Sequence, residues 1–151
     1  MALNFMDGFD YASSGPQCIG PGKWDDCQWV TALTGTNTRF NSGRAATLNS
    51  TGRYAEVDPG DVGTTNAIIV GFALQFSLRA TATTILQFFD DPSSEMGRVE
   101  INTDGTLTYM VNTTTVLTST ISLVSNAWHY VEVKVLFSGT VGTIAFQIDG
   151  A

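Results

Sequence analysis

Residues 128–150 read WHYVEVKVLFSGTVGTIAFQIDG, and strict two-residue alternation there constrains the fold more than any other feature of the chain. Val131, Val133, Val135 and Phe137 fall on one side, while Tyr130, Glu132 and Lys134 fall on the other, the period of a strand buried on one face. After Ser138-Gly139-Thr140 the alternation resumes. Ile144, Phe146 and Ile148 now oppose Thr143 and Gln147, which predicts an antiparallel hairpin closed by a short glycine-containing turn. Asp149-Gly150 follows, a pair favoured in two-residue hairpin turns. A turn of that kind leads into another strand, so the expectation is that residues 1–151 form the front of a longer polypeptide, or that another chain supplies the strand.

The rest of the chain repeats the theme in shorter pieces. Residues 4–11 alternate Phe5, Asp7, Phe9 and Tyr11 against Met6, Gly8 and Asp10, which suits a first strand. Gly15, Pro16, Gly20, Pro21 and Gly22 then enforce a loop. Trp24 and Trp29 read first as lids over one end of a core, and second as exposed platforms for a sugar ring. Short strands are expected at 45–48 and 53–57, the latter ended by Asp58-Pro59-Gly60. Over 68–78, Ile68, Val70, Phe72, Leu74, Phe76 and Leu78 face inward, which predicts a central strand. Residues 84–90 give the next strand, before the loop Asp91-Pro92-Ser93-Ser94.

The hairpin at 98–111 tests the register. A two-residue turn at Asp104-Gly105 would set Val99 and Ile101 opposite in face to Leu107 and Tyr109. A three-residue loop, Thr103-Asp104-Gly105, with Gly105 left-handed and forming a bulge, pairs Ile101 with Leu107 and Val99 with Tyr109. Only the bulged turn keeps the apolar residues on one face. Residues 113–120 supply a further short strand through Val116 and Leu117. No segment has helical periodicity over the ~11 residues a helix assignment needs. About ten short strands separated by turns predict an all-β, antiparallel two-sheet sandwich, as a single domain spanning 1–151.

Composition narrows the function classes. Apolar residues at 43% supply a core, whereas charged residues at 14% leave a surface of Thr, Ser, Asn and Gly. Seven Lys and Arg against fourteen acids, a formal charge of −7, argue against a surface that tracks phosphates, so no nucleic-acid partner is expected. The opening MALNFMDGFD has no basic leader with an apolar core, and no apolar run approaches the ~20 residues of a membrane span. The expectation is synthesis without a signal peptide or Sec export, and no membrane partner. Cys18 and Cys27 flank a short loop and lack the further ligands a zinc site needs, leaving a disulfide or two reduced thiols.

The motifs support a resemblance. Trp128-His129-Tyr130-Val131-Glu132-Val133-Lys134-Val135, followed by Ile148-Asp149-Gly150, resembles the strand pair near the end of laminin-G-like, concanavalin A-like jelly-roll domains. Asn4-Phe5-Met6-Asp7-Gly8-Phe9-Asp10-Tyr11 with Trp24, and Gly43-Arg44-Ala45, resemble the version of that domain in tailed-bacteriophage virion structural proteins. The resemblance implies a jelly-roll sandwich and a non-catalytic structural protein on the virion surface, as a capsid decoration or a tail protein. Its implied partners are other virion proteins and further copies of itself. The alternative is a carbohydrate-binding module for a host glycan, using Trp24, Trp29 and Tyr130.

Catalytic readings are weaker on the residues themselves. Glu56-Val57-Asp58-Pro59-Gly60-Asp61 resembles the paired-carboxylate signature of laminarinase-type glycoside hydrolases. Pro59-Gly60 breaks the strand before the third acid, and Asp61 is a methylene shorter than the Glu required. The single histidine, His129, shares the face of Val131 and reads as a hydrogen-bonded residue at the core edge. No cofactor is expected, although calcium is a candidate on the acidic loop at Asp90 and Asp91, since oxygen-rich loops are what that ion requires.

Overall fold

A computed structural model describes residues 26–28, 31–34, 44–47, 54–56, 67–77, 80–90, 94–138 and 142–151. Two compact units divide the chain, Met1–Thr64 and Thr65–Ala151. In the first unit β1 (Asp26–Gln28) pairs antiparallel with β4 (Tyr54–Glu56), and β2 (Thr31–Thr34) with β3 (Arg44–Thr47). The strands expected at 45–48 and 53–57 are therefore present within a residue or two of their expected ends. The strand expected at 4–11 lies outside the described residues.

The second unit is an antiparallel two-sheet sandwich. One sheet has the order β11-β10-β5, built from β5 (Ala67–Gln75), β10 (Trp128–Leu136) and β11 (Thr143–Ile148). The other is a meander, β6-β7-β8-β9, from β6 (Thr83–Phe89), β7 (Glu95–Ile101), β8 (Thr106–Val111) and β9 (Thr114–Ser122). All described elements are strands.

In the three-stranded sheet, the register lines up rows of apolar side chains. Phe72, Val131 and Ile148 form one row, Val70, Val133 and Phe146 the next, and Ile68, Val135 and Ile144 a third. Cross-strand neighbours share a face, so the alternation of each strand becomes one continuous apolar layer. The four-stranded sheet answers with Leu86, Val99, Tyr109 and Leu117 in one row and Ile101 beside Leu107. Val99, Leu107, Val131 and Val133 have no solvent exposure. Each such side chain contributes about 1.5–3 kcal/mol of burial. Phe88 bridges the layers, with its ring centroid 6.4 Å from Tyr109 and 5.5 Å from Phe137. Burial pushes the Tyr109 phenol pKa above its ordinary value.

The bulged turn is present as expected. Ile101 pairs with Leu107 and Val99 with Tyr109, and Gly105 has φ of 83°. A Cβ at Gly105 would run into the Leu123 carbonyl oxygen, and at that φ an L side chain is strained as well. Asp104 fastens the loop by accepting the Thr106 N–H at 2.9 Å and the Thr106 hydroxyl at 2.6 Å. Those two bonds hold its carboxyl below the usual aspartate range.

Three expectations need correction. The strand at 67–75 flanks its sheet, and β10 occupies the centre, because β5 pairs only with β10 among the described strands. Alternation records one buried face; it carries no information about whether one or both edges are paired. The hairpin connection is also longer than expected, since the last rung joins Leu136 to Thr143 and residues 137–142 form the link. Phe137 lies beyond the ladder, with its ring edge-on to Phe88. Finally, β9 runs on to Ser122 through a register shift opposite Leu107, whose N–H is redirected to the Ser119 hydroxyl at 2.9 Å.

Candidate binding face

Parity places Tyr130, Glu132 and Lys134 on the outer face of the three-stranded sheet, opposite the Val131–Val133–Val135 layer. Across the ladder, Tyr130 meets Ala73, Glu132 lies between Gly71 and Gln147, and Lys134 lies between Ile69 and Ala145. The result is a broad aromatic side chain in a field of small neighbours. The Tyr130 phenol lies across Gly71, and its hydroxyl occupies the position a Cβ there would need. Glycine at 71 thus leaves the room that the phenol end of Tyr130 takes. Tyr130 remains 38% exposed. Beside it, Glu132, Lys134, Ala145, Phe146 and Gln147 line a shallow depression of about 200 Å³.

The backbone under Tyr130 is held by the chain turn at Asp149. Tyr130 N–H donates to Asp149 Oδ1 at 2.8 Å, and Asp149 N–H donates back to the Tyr130 carbonyl at 2.9 Å. The other carboxylate oxygen, Oδ2, lies 2.7 Å from His129 Nδ1. His129 Nε2 lies 2.9 Å from the Val124 nitrogen and 3.2 Å from the Val124 carbonyl oxygen, so both ring nitrogens are engaged. The His129 side chain is 12% exposed, a hydrogen-bonded histidine at the core edge, as the register implied. It locks the strand that carries Tyr130.

Chemically, this face offers one half-exposed aromatic ring and a row of acceptor and donor groups, Glu132, Gln147 and Lys134. Such a set stacks on the apolar face of a sugar ring or a planar side chain and hydrogen-bonds its rim. Sequence reasoning singled out Tyr130 and missed Gly71, Glu132 and Gln147. Glu132 was legible by parity alone, whereas Gly71 required the register between β5 and β10.

The outer face of the four-stranded sheet is arranged differently. Arg98 Nε donates to Glu100 at 2.6 Å, and Nη1 donates to Glu95 and to the Asn112 carbonyl, each at 2.9 Å. Gln87 Nε2 donates to the second oxygen of Glu95 at 2.9 Å. The Glu100 and Glu95 bonds raise the Arg98 pKa further above its already high ordinary value. Asn102 Nδ2 donates to the Thr106 and Thr108 hydroxyls at 2.9 and 2.6 Å.

Of the other sequence-derived candidates, Trp24, Trp29, Cys18, Asp58, Asp61 and Asp91 lie outside the described residues. Cys27 and Glu56 are described only as backbone positions on β1 and β4, where Asp26 pairs with Glu56. Asp90 follows β6 and is exposed, its N–H donating to the Ser94 carbonyl at 3.1 Å. Among the described residues, no group of three or more His, Cys, Asp and Glu side chains is placed to hold a metal ion. Comparison with protein-family models, with curated proteins and with solved structures returned no match.

Proposed function

We propose that this chain is a non-catalytic structural protein exposed on the surface of a tailed-phage virion, as a capsid decoration or a tail-associated protein. The virion assignment comes from the resemblance of Asn4–Tyr11 with Trp24, and of Gly43-Arg44-Ala45, to the phage version of the domain. The observation that best fits a structural role is the use made of the polar side chains. Glu95 on β7 binds Gln87 on β6, Arg98 on β7 reaches the Asn112 carbonyl between β8 and β9, Asn102 ties Thr106 to Thr108, and His129 pins β10 to the turn at Asp149. Groups that elsewhere perform chemistry here hold a rigid sheet pair. Its partners are other virion proteins and repeated copies of itself.

Immunogold electron microscopy on particles, with an antibody against this protein, tests the proposal. Regular labelling over the head or the tail is the expected result. Unlabelled particles from a lysate that contains the protein overturn it.

A second reading, a carbohydrate-binding module for a host surface glycan, is favoured by one specific observation: the half-exposed Tyr130 reaches its phenol hydroxyl over Gly71 beside Glu132 and Gln147. Titration of the protein with a polysaccharide panel, followed by tryptophan fluorescence, tests this reading, since Trp128 lies on the strand that carries Tyr130. A saturable shift that Tyr130→Ala abolishes supports it. Identical shifts with and without the ring would remove the Tyr130 face from consideration.

A further inference from the structure

β5 is apolar on both of its faces, which a single buried layer does not explain. Ile68, Val70, Phe72 and Leu74 pack on the core side, yet Ala67, Ile69, Gly71 and Ala73 make up the outer side. Strands covered on both faces read as near-continuous apolar runs of this kind. β10 and β11 extend the same outer surface with Tyr130, Leu136 and Ala145. Three large exposed hydrophobic side chains stand on it: Ile69 at 38%, Tyr130 at 38% and Leu136 at 37%. Among the described ladder positions of this face, charge enters only at Glu132 and Lys134.

That charge pattern is self-complementary. In a two-fold interface each contact occurs twice, residue i on j and j on i. A two-fold axis between two such sheets, running across the strands at the level of Val133, sets Glu132 of each copy on Lys134 of the other. Carried through the ladder, the same rotation sets Tyr130 on Leu136 and Gly71 on Ile69. The Tyr130 phenol reaches over Gly71, so it meets Ile69 of the second copy as well. All three exposed hydrophobic side chains of the face thus find apolar contacts in one operation. An axis along the strands would instead set Glu132 on Glu132 and Lys134 on Lys134, like charges opposed.

We propose that the outer face of β5, β10 and β11 is a self-association surface, and that its occupant is a second copy of this chain with its strands antiparallel to the first. This rests on the structural reading for its partner, repeated copies of the chain, and gives them a face and a register. The footprint is about 30 Å along the strands and about 14 Å across them, small for a permanent dimer. Association in solution is therefore concentration-dependent, and a particle that holds many copies side by side strengthens it.

Sedimentation equilibrium of the 151-residue protein, from micromolar to millimolar concentration, tests it. The wild-type mass is expected to rise toward that of a dimer. Glu132→Lys and Lys134→Glu are each expected to weaken association about tenfold or more with Tm unchanged, because like charges then oppose at both contacts. An equimolar mixture of the two variants is expected to associate again, since their charges are complementary between copies. Leu136→Ser, which alters no charge, is expected to weaken association by removing the contact under Tyr130. A monomer at every concentration overturns the proposal and leaves the face to other residues of the same chain or to a glycan. A dimer indifferent to both charge reversals overturns it too, as does a mixture that associates no better than either variant alone. No particle is used, so failure here is distinct from unlabelled particles in the immunogold experiment.

Discussion

The two sheets of the sandwich share one core but differ on their outer faces. The four-stranded sheet ties its outward charges to each other: Arg98 is held by Glu95, Glu100 and the Asn112 carbonyl, and Gln87 by Glu95. The three-stranded sheet spreads Tyr130, Glu132, Lys134 and Gln147 around small residues, with the phenol end of one ring over glycine. A group already bonded to its neighbours must break those bonds to meet a partner, and desolvating it leaves little gain. A half-exposed ring fixed in one orientation has little freedom to lose. Under the proposed carbohydrate-binding reading, the contrast makes the outer side of β5, β10 and β11 the working face and the meander the scaffold.

The largest effect tests the shared core. Leu107→Ala removes a side chain with no exposure from the scaffold sheet and is expected to lower unfolding free energy by about 2–5 kcal/mol in denaturant titration. Lys134→Ala on the working face is expected to shift stability by less than about 0.5 kcal/mol. Comparable losses from the two would break the division between scaffold and face.

Next comes the turn that sets the scaffold register. Gly105→Val forces a β-branched residue into positive φ against the Leu123 carbonyl, and should cost about 1–3 kcal/mol in thermal unfolding. Unaltered stability would mean that the loop has another conformation open to it.

On the working face, Gly71→Ala should displace the Tyr130 ring while leaving the fold intact. The expected signature is a changed tyrosine ring environment in NMR with a stability loss near that of Tyr130→Ala. Both variants are expected to abolish any ligand response of this face, and retention of that response in Tyr130→Ala would move the site elsewhere.

The smallest effect is electrostatic. The native Asp104 carboxyl gives up its proton more readily than the unfolded one, through its bonds to Thr106. Its contribution is therefore complete above the ordinary aspartate range and disappears as pH falls through the lowered native value. Asp104→Asn should flatten the acid limb of the stability–pH curve below the ordinary aspartate range. An unchanged acid limb would show that the Thr106 bonds form equally to a protonated carboxyl.

Much of this architecture was legible in the sequence, for reasons that can be traced to particular residues. Apolar alternation at Val131, Val133 and Val135 gave the buried face of β10, and the demand for one apolar face at Val99, Ile101, Leu107 and Tyr109 selected the bulged turn. Those arguments work because side-chain parity is local. Position within a sheet is not local, which is why β5 was expected at the centre and flanks β10 instead. The candidate face was half legible. Tyr130 and Glu132 fall together by parity, but Gly71 comes from a strand more than fifty residues earlier and meets them only through the ladder. The Asp149-Gly150 turn had its own sequence signal, and the structure closes it with reciprocal backbone bonds between Ile148 and Ala151.

Oxidative footprinting of the protein, free and on intact particles, tests the central contrast most directly, because each face carries an oxidisable reporter. Tyr130 reports on the working face and Met110, beside Thr115, on the scaffold face. The expected result is that Tyr130 becomes protected on the particle while Met110 reacts as it does in the free protein. Protection of Met110 with Tyr130 unchanged would contradict the assignment and make the meander the contact face.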